Sequence, residues 1–288
     1  MGVKITDYNS PNIPTWCPGC GNFAIHATLK KTLSDLEISP SELFISFDIG
    51  CNGNGAGKIT SYQFKGLHGR SIPLAIGAHL ANRRFTTIAD IGDGGCFHEG
   101  LDHLVHAIRS KYNITILIHN NANFALTTGQ ATVSTQKGKA MYGLPEGIPE
   151  RNLNIPQFIL SLEPSFYART YSGNPVQMEE IFKAAIENKG CSIVEILQLC
   201  PTYNREFTPA WAQENIKKIK DLENYHPDSI ENARSKINNN SPLYTGIIFQ
   251  NKNLPTFYDS LENRKDSITE LVDEVKTHDI KKLLKYFE

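Results

Sequence analysis

Four apolar runs alternate along the chain with stretches of helical spacing. The runs are ELFISFDIG (42–50), RFTTIADIGDGG (84–95), NITILIHNN (113–121) and CSIVEILQLC (191–200). An amphipathic helix is predicted between the second and third runs, where leucine, valine and isoleucine recur at helical spacing. Two more helices are predicted, at 71–84, with a proline in the first turn, and at 176–190, which a glycine ends. This alternation predicts an α/β fold, with a doubly wound, mainly parallel sheet and helices on both faces.

The pattern changes after about residue 205. The segment from 206 onward is polar and helical in places, and only TGIIFQN (245–251) predicts a last strand, at the edge of the sheet. We therefore predict one domain over 1–205 and a C-terminal arm over 206–288, packed on that domain or on a partner.

Composition narrows the possible functions. The 288 residues are 40% hydrophobic, enough for a large core, and the formal net charge of −1 comes with no run of Lys or Arg. Nucleic acid is therefore not an expected partner. The first residues lack the pattern of a signal peptide and no apolar stretch is long enough to span a bilayer, so we expect a cytoplasmic protein without membrane contact. Six cysteines in such a chain favour metal or redox chemistry over a disulfide framework.

Polar residues follow two consecutive predicted strands. Asp93 comes directly after a buried strand, and Asn120 and Asn121 close the next one, so their side chains are expected along the carboxyl edge of the sheet, where open α/β sheets bind ligands. Gly92 and Gly94 permit a tight turn and a close approach of backbone to ligand. Carboxylate and amide oxygens suit Mg²⁺, which completes its coordination with phosphate oxygens and water. The pattern predicts a magnesium-bridged diphosphate.

The cysteines show a second pattern. Cys17 and Cys20 lie in a Pro-Gly turn before a helix, whereas Cys51 and Cys200 directly follow predicted strands. Four thiolates from these places could enclose a four-iron cluster or a structural zinc ion. A thioredoxin-like redox disulfide is less favoured, because the CPGC motif precedes the first clear strand.

The spacing of the glycine and asparagine motifs resembles a known fingerprint. Gly92-Asp93-Gly94, then twenty-five residues, then Asn120-Asn121 is similar to the thiamine diphosphate motif. The resemblance implies that Mg²⁺ is bound by the side chains of Asp93 and Asn121 and by the backbone carbonyl of Asn123.

The ordered motifs together resemble the beta subunit of the 2-oxoacid:ferredoxin oxidoreductases. The matching pieces are WCPGCGN (16–22), IGC (49–51), GLHGR with the following proline (66–73), GDG with NN, TTGQ (127–130) and ILQLCPTYN (196–204). This family implies a thiamine diphosphate-binding fold and a 4Fe-4S cluster with Cys17, Cys20, Cys51 and Cys200 as ligands. Cys96 and Cys191 match no ligand position and are expected to be buried structural residues.

The resemblance also implies a set of residues around the cofactor. They are Gly50, Cys51, His68, Gly92, Asp93, Gly94, Gly95, Asn121, Asn123, Ala125, Leu126 and Thr127. Thr127 belongs to a loop that we expect to lie over the diphosphate. NGNGAGK (52–58) lacks the full P-loop pattern, and we interpret it as a flexible connection near Cys51.

For this family the implied reaction is the oxidative decarboxylation of a 2-oxoacid with coenzyme A to an acyl-CoA and CO₂. Electrons pass through the 4Fe-4S cluster to ferredoxin. An alpha subunit supplies the glutamate that activates the cofactor; the sequence offers no candidate for it, since Glu99 lies on the diphosphate side, so the isolated chain is expected to be inactive.

The substrate and two other functions stay open. Gly95 stands where commoner members have Asp, and 123–130 also departs from their pattern, so the sequence does not decide among pyruvate, 2-oxoglutarate and other 2-oxoacids. One alternative is a self-contained thiamine-dependent decarboxylase, for which 288 residues leave no room for a second domain. The other is a non-catalytic α/β protein stabilised by zinc.

Overall fold

The strands of the computed structural model form one sheet, and the structure describes residues 2–237, 242–277 and 281–287. Within these residues the strands are β1 (Leu43–Phe47), β2 (Tyr62–Lys65), β3 (Thr86–Gly92), β4 (Thr115–Asn120), β5 (Phe166–Tyr171), β6 (Ser192–Leu197), β7 (Ile216–Lys218) and β8 (Leu243–Gln250). Their order in the sheet is β2-β1-β3-β4-β6-β5-β8-β7. Neighbouring strands are parallel except β5 and β8, which are antiparallel. The predicted α/β class with a mainly parallel sheet is confirmed.

Helices lie before, between and after the strands. They are α1 (Asn22–Asp35), α2 (Ser71–Ala81), α3 (Leu101–Ser110), α4 (Ile155–Ser161), α5 (Pro175–Glu187), α6 (Pro209–Asn215), α7 (Ile230–Lys236), α8 (Leu271–Thr277) and α9 (Lys281–Leu284). α2, α3 and α5 occur where the apolar spacing predicts helices, and both α2 and α5 have a proline in the first turn.

The sheet separates two apolar cores. Along β4, Ile116 and Ile118 join one core while Leu117 joins the other, because successive side chains of a strand point to opposite faces. α1 and α5 cover the face on which Leu117 lies. α2, α3, α4 and α7 cover the opposite face. Helices on both faces explain why the central strands are apolar throughout rather than alternating.

One sequence-based strand assignment is wrong in its position. The strand predicted at 245–251 is β8, but it lies between β5 and β7 rather than at the edge. The edge belongs to β7, three residues with the sequence IKK, which are too short and too polar to be recognised. Two other strands, β2 and β5, were not predicted, since β2 is largely exposed and β5 contains a buried arginine.

The C-terminal region contributes to the same core as the rest of the chain. Ile248 and Phe249 of β8 are buried in the core that α2 and α3 cover. Arg83, which follows α2, donates hydrogen bonds to Glu270 from its backbone N–H at 2.8 Å and from Nε at 3.0 Å. The division into a domain over 1–205 and an arm over 206–288 stays a prediction.

Among the described residues, no helix has the length and apolar character needed to cross a membrane.

Candidate active site

A cavity of about 160 Å³ opens where β1, β3 and β4 end. All twelve residues that the sequence analysis assigns to cofactor binding line it: Gly50, Cys51, His68, Gly92, Asp93, Gly94, Gly95, Asn121, Asn123, Ala125, Leu126 and Thr127. Four other lining residues were not predicted: Ile49, Asn52, His119 and Phe124. The structure therefore brings the predicted residues together at one edge of the sheet, and their role in binding stays a prediction.

The carboxylate of Asp93 is buried at this cavity. Asp93 is 1% exposed, and its Oδ2 accepts a hydrogen bond from the Thr132 hydroxyl at 2.5 Å. Burial raises the pKa of Asp93 to about 6, against the hydrogen bond from Thr132, which lowers it. Asp93 and Asn121 thus offer neighbouring hard oxygen atoms, the type of ligand that Mg²⁺ prefers.

The asparagines at the end of β4 and just after it lie at two different sites. The backbone N–H of Asn123 donates to Oδ1 of Asn121 at 3.0 Å, and Oδ1 of Asn123 is buried without a hydrogen-bond partner in the described structure. Asn120, in contrast, donates from Nδ2 to Oε1 of Glu195 at 2.8 Å and lines a different cavity. The sequence analysis expects Asn120 and Asn121 along one edge, but only Asn121 lies at the predicted cofactor site.

The GDGG turn has no space for side chains at its later glycines. A Cβ at Gly94 would lie 2.2 Å from a ring carbon of Phe124, and one at Gly95 would lie 1.9 Å from Oδ2 of Asp48. Both distances are far below van der Waals contact, so glycine lets the backbone approach these neighbours. The turn therefore leads directly from β3 into a π-helical segment, Gly95–Glu99, ahead of α3.

His68 lies between two carboxylates beside the cavity. Its Nε2 is 3.7 Å from Oδ2 of Asp48, and its Nδ1 is 3.4 Å from Oε1 of Glu99. Asp48 is fully buried, and its Oδ1 accepts the backbone N–H of Gly69 at 2.6 Å. Burial raises the pKa of Asp48 to about 6 despite the opposing effect of His68. The structure thus places an ionisable cluster at one wall of the cavity.

The loop after β4 covers another side of the cavity. The hydroxyl of Thr127 donates to Oε1 of Gln130 at 2.5 Å, and the backbone of Phe124 pairs with that of Gln130. Leu126 lines the cavity and is nevertheless 58% exposed. The loop is therefore held by its own hydrogen bonds and presents an apolar side chain to the outside.

The four cysteines predicted as cluster ligands come from three segments that are connected by hydrogen bonds. These cysteines are Cys17, Cys20, Cys51 and Cys200. The indole N–H of Trp16 donates to the carbonyl of Cys51 at 2.6 Å, which connects the CPGC turn to the end of β1. The N–H of Gly21 donates to the carbonyl of Leu199 at 3.0 Å, which connects the same turn to the end of β6, next to Cys200.

The thiols of these segments lie within electrostatic range of each other. Burial raises the pKa of Cys51 to about 12, and the neighbouring thiols of Cys20, Cys200 and Cys17 contribute to the rise. All six cysteines are free. Among the described residues, no group of three or more His, Cys, Asp or Glu side chains is arranged around a single metal ion. Cys96 and Cys191 are fully buried, as predicted.

A buried polar network lies between His119 at the cavity and Cys20, and the sequence analysis did not predict it. Nε2 of His119 is 3.1 Å from Oδ2 of Asp90, and its Nδ1 is 2.9 Å from Oδ1 of Asn22 and 3.1 Å from Oε1 of Gln198. Asn52 donates from Nδ2 to Oδ1 of Asp90 at 2.9 Å. Asn52 is thus a buried, hydrogen-bonded residue, so the interpretation of 52–58 as a flexible connection is wrong at its first position. Asn22 and Gln198 belong to the motifs WCPGCGN and ILQLCPTYN, but neither motif indicates that their side chains meet His119.

A second cavity, of about 370 Å³, lies on the other side of Asn120. Its wall includes Arg169, whose Nε and Nη2 are each 2.9 Å from Oε2 of Glu195. Tyr167 donates to the same oxygen at 2.7 Å. The network is almost completely buried, which explains how β5 can hold a charged residue in the middle of the sheet.

Comparisons with known proteins identify the family of the chain. Residues 48–196 match the model of the thiamine pyrophosphate enzyme, C-terminal TPP binding domain, and residues 200–266 match that of the C-terminal part of the pyruvate ferredoxin oxidoreductase beta subunit. The beta subunit of 2-oxoacid:ferredoxin oxidoreductase 2 from Aeropyrum pernix is 34% identical over 236 residues, which cover 79% of this chain and 74% of that protein. The chain belongs to the 2-oxoacid:ferredoxin oxidoreductase beta-subunit family. The family predicted from the motifs is confirmed.

Two further comparisons extend the likeness of this beta subunit to nearly its whole length. The beta subunit of 2-oxoacid:ferredoxin oxidoreductase from Saccharolobus solfataricus is 29% identical over 279 residues, 92% of this chain and 90% of that protein. A solved structure, 2-oxoglutarate:ferredoxin oxidoreductase from Magnetococcus marinus with 2-oxoglutarate, coenzyme A and succinyl-CoA bound, has a TM-score of 0.84 at 25% identity. That match covers 99% of this chain and 96% of the other.

Proposed function

We propose that this beta subunit binds thiamine diphosphate with Mg²⁺ and carries a 4Fe-4S cluster. Together with an alpha subunit it oxidatively decarboxylates a 2-oxoacid with coenzyme A to an acyl-CoA and CO₂ and passes the electrons to ferredoxin. The observation that carries the proposal is one sheet edge where the twelve predicted cofactor residues line a cavity beside the hydrogen-bonded segments that contain the four cysteines. The 2-oxoacid and coenzyme A as substrates are supported by the ligands of the similar Magnetococcus marinus enzyme.

The residues at the cavity fit a metal-bound diphosphate. Asp93 would hold Mg²⁺ with its carboxylate, Asn121 with its side-chain oxygen and Asn123 with its backbone carbonyl. Asp93 is 1% exposed, so little water can stabilise its charged carboxylate. An adjacent cation would stabilise that charge instead. The glycines after β3 let backbone N–H groups approach an anion closely. When bound, thiamine diphosphate supplies the electron sink that allows CO₂ to leave.

The cysteine segments fit an iron–sulfur cluster. Cys17, Cys20, Cys51 and Cys200 come from a turn and two strand ends, and hydrogen bonds of Trp16 and Gly21 hold these segments together. Thiolate sulfur is the usual ligand of such a cluster. Of the four cysteines, Cys200 is buried, Cys20 and Cys51 are partly buried, and Cys17 is exposed. The chain would in this way place an electron acceptor next to the cavity.

An alpha subunit is expected to cover the mouth of the cavity. Leu126 at the cavity and Leu67, next to His68, are 58% and 77% exposed. Apolar side chains exposed around a cavity are typical of a surface that a partner covers. The partner would also bring the activating glutamate, since Glu99 faces His68. A location in the cytoplasm stays a prediction of the sequence.

Anaerobic co-purification of this chain with its alpha subunit tests the proposal. We expect brown protein with about four iron and four sulfide per beta chain, and reduction of a viologen dye that requires a 2-oxoacid, coenzyme A, Mg²⁺ and thiamine diphosphate. A panel of 2-oxoacids identifies the substrate. Colourless protein with zinc and no thiamine diphosphate would support the non-catalytic alternative, and full activity of the beta chain alone would support the self-contained decarboxylase.

A further inference from the structure

The buried network around His119 connects the cavity with the cysteine cage, which is the set of Cys17, Cys20, Cys51 and Cys200. His119 lines the cavity, and its Nδ1 is 3.1 Å from Oε1 of Gln198. At the other end of the same amide, Nε2 of Gln198 is 3.7 Å from Sγ of Cys20, within range of an N–H···S hydrogen bond. A single side-chain amide therefore lies between an imidazole at the cofactor cavity and a sulfur of the predicted cluster.

The position of Gln198 is fixed from several directions. Its backbone N–H donates to the carbonyl of Asn120 at 2.8 Å, and the residue is 1% exposed. A Cβ at Gly21 would lie 2.9 Å from Cγ of Gln198, so the glycine after the CPGC motif is what leaves room for this side chain. The backbone N–H of the next residue, Leu199, donates to the Ser172 hydroxyl at 3.0 Å. Such constraints leave the amide little freedom to move away from Cys20.

The orientation of the amide follows from the charges that face it. A thiolate accepts hydrogen bonds and does not donate them, so the NH₂ end of Gln198 is favoured towards Cys20 and Oε1 towards the ring. Nδ1 of His119 lies 3.1 Å from this oxygen and 2.9 Å from Oδ1 of Asn22, while Nε2 lies 3.1 Å from the carboxylate of Asp90. In a buried network each hydrogen bond supports the next, so His119 holds the amide in the orientation that donates to sulfur.

We propose that Gln198 is a positioning residue that donates a hydrogen bond to the Cys20 ligand of the 4Fe-4S cluster and raises its reduction potential, with His119 fixing the amide. The inference rests on the proposed function, because it requires the cluster. Reduction adds negative charge that spreads onto the cysteine sulfurs, and an N–H donor stabilises that charge more than the smaller charge of the oxidised state. The effect makes the cluster a better acceptor for electrons from the cavity.

Potentiometric titration of the cluster, followed by electron paramagnetic resonance, tests this inference in the co-purified complex. Gln198→Met keeps the length of the side chain and removes its donor. We expect its cluster to be harder to reduce, with the equilibrium constant for one-electron reduction about tenfold lower, which is about 59 mV. His119→Phe leaves Gln198 in place but frees its amide, and we expect a smaller shift in the same direction. Gln177→Met is the matched control: Gln177 bonds Thr170 and Thr245 and should leave the potential unchanged.

Iron and sulfide content and circular dichroism of each variant show that the cluster and the fold are intact. Equal midpoint potentials for wild type and a fully loaded Gln198→Met would overturn this inference alone and leave the proposed function standing. A wild-type complex without iron and sulfide would overturn both. In addition, transfer of the wild type to D₂O should shift the iron–cysteine stretching bands in resonance Raman spectra, and unchanged bands would contradict a hydrogen bond to sulfur.

Discussion

Replacing Gly95 with alanine tests how closely the GDGG turn packs against the neighbouring strand. The added Cβ would lie 1.9 Å from Oδ2 of Asp48. Asp48 is fully buried and its other oxygen accepts the Gly69 N–H at 2.6 Å, so the carboxylate cannot turn aside without losing that bond. We therefore expect the methyl group of Gly95→Ala to strain the turn, because the Asp48 side chain cannot move to accommodate it.

The expected cost follows from these two contributions. Overpacking of a buried site costs about 1–3 kcal/mol, and weakening a hydrogen bond to a charged or buried group costs about 1–3 kcal/mol. Because the cost of overpacking and the cost of the weakened hydrogen bond are not fully additive, we expect the free energy of unfolding to fall by about 3 kcal/mol. Gly77 in α2 offers a matched control, because a Cβ there has nothing within 4 Å. Gly77→Ala should instead stabilise the helix by up to about 1 kcal/mol.

Urea unfolding of the cofactor-free chain, followed by circular dichroism, measures both changes. The comparison requires that the variants and the wild type have the same dependence of the free energy of unfolding on urea concentration. A double-mutant cycle with Asp48→Ala isolates the contact, because removal of the carboxylate gives the new methyl group its space. In the Asp48→Ala background we expect Gly95→Ala to cost less than about 1 kcal/mol. A cost that is the same with and without the Asp48 carboxylate, or no cost in the wild type, would refute this reasoning.

Three further predictions concern buried charges. Burial raises the pKa of Asp48 to about 6; its contribution to stability is therefore full below about pH 4 and is lost as the pH rises through about 6. Asp48→Asn should remove this decline, on the order of 3 kcal/mol, from urea-unfolding curves taken between about pH 4 and 7. Arg169→Met leaves the carboxylate of Glu195 buried without its ion pair and should lower the free energy of unfolding by about 3–5 kcal/mol, part of which the added change Glu195→Met should restore. Asp93→Asn should weaken the binding of thiamine diphosphate in Mg²⁺ buffer more than about tenfold, measured by calorimetry. The same change should not lower the free energy of unfolding in urea, because it removes a buried charge.

Each of these predictions has a contrary outcome. A parallel decline with pH in Asp48→Asn and wild type would assign the effect to another group. An Arg169→Met protein as stable as the wild type would mean that the Glu195 carboxylate is not confined as the structure indicates. Unchanged cofactor affinity in Asp93→Asn would exclude Asp93 as a ligand of the metal.

The sequence predicts the strands that are apolar on both faces and the residues at their ends. β1, β3, β4 and β6 follow this pattern, which places Asp93, Asn121 and Cys51 at one edge. β5 was missed because Arg169 interrupts its apolar run, and only the pairing with Glu195 on the neighbouring strand makes this arginine compatible with burial. A partner that is distant in sequence leaves no local signal.

The surroundings of the site were harder to predict than its motifs. The approach of the CPGC turn to Cys51 depends on the indole of Trp16, and the space for Gln198 depends on Gly21. Asp48 fills the volume that a side chain at position 95 would occupy. Such contacts are set by tertiary packing between segments, so spacing and periodicity do not reveal them.

The transfer of electrons from the cavity to the cysteine cage is the central claim, and one measurement tests it most directly. The anaerobic complex is mixed with its 2-oxoacid and coenzyme A without any external reductant, frozen and examined by electron paramagnetic resonance. We predict the signal of a reduced 4Fe-4S cluster, which disappears when thiamine diphosphate is omitted and when Cys51 is replaced by serine. A signal that requires dithionite and never follows any 2-oxoacid would contradict the account.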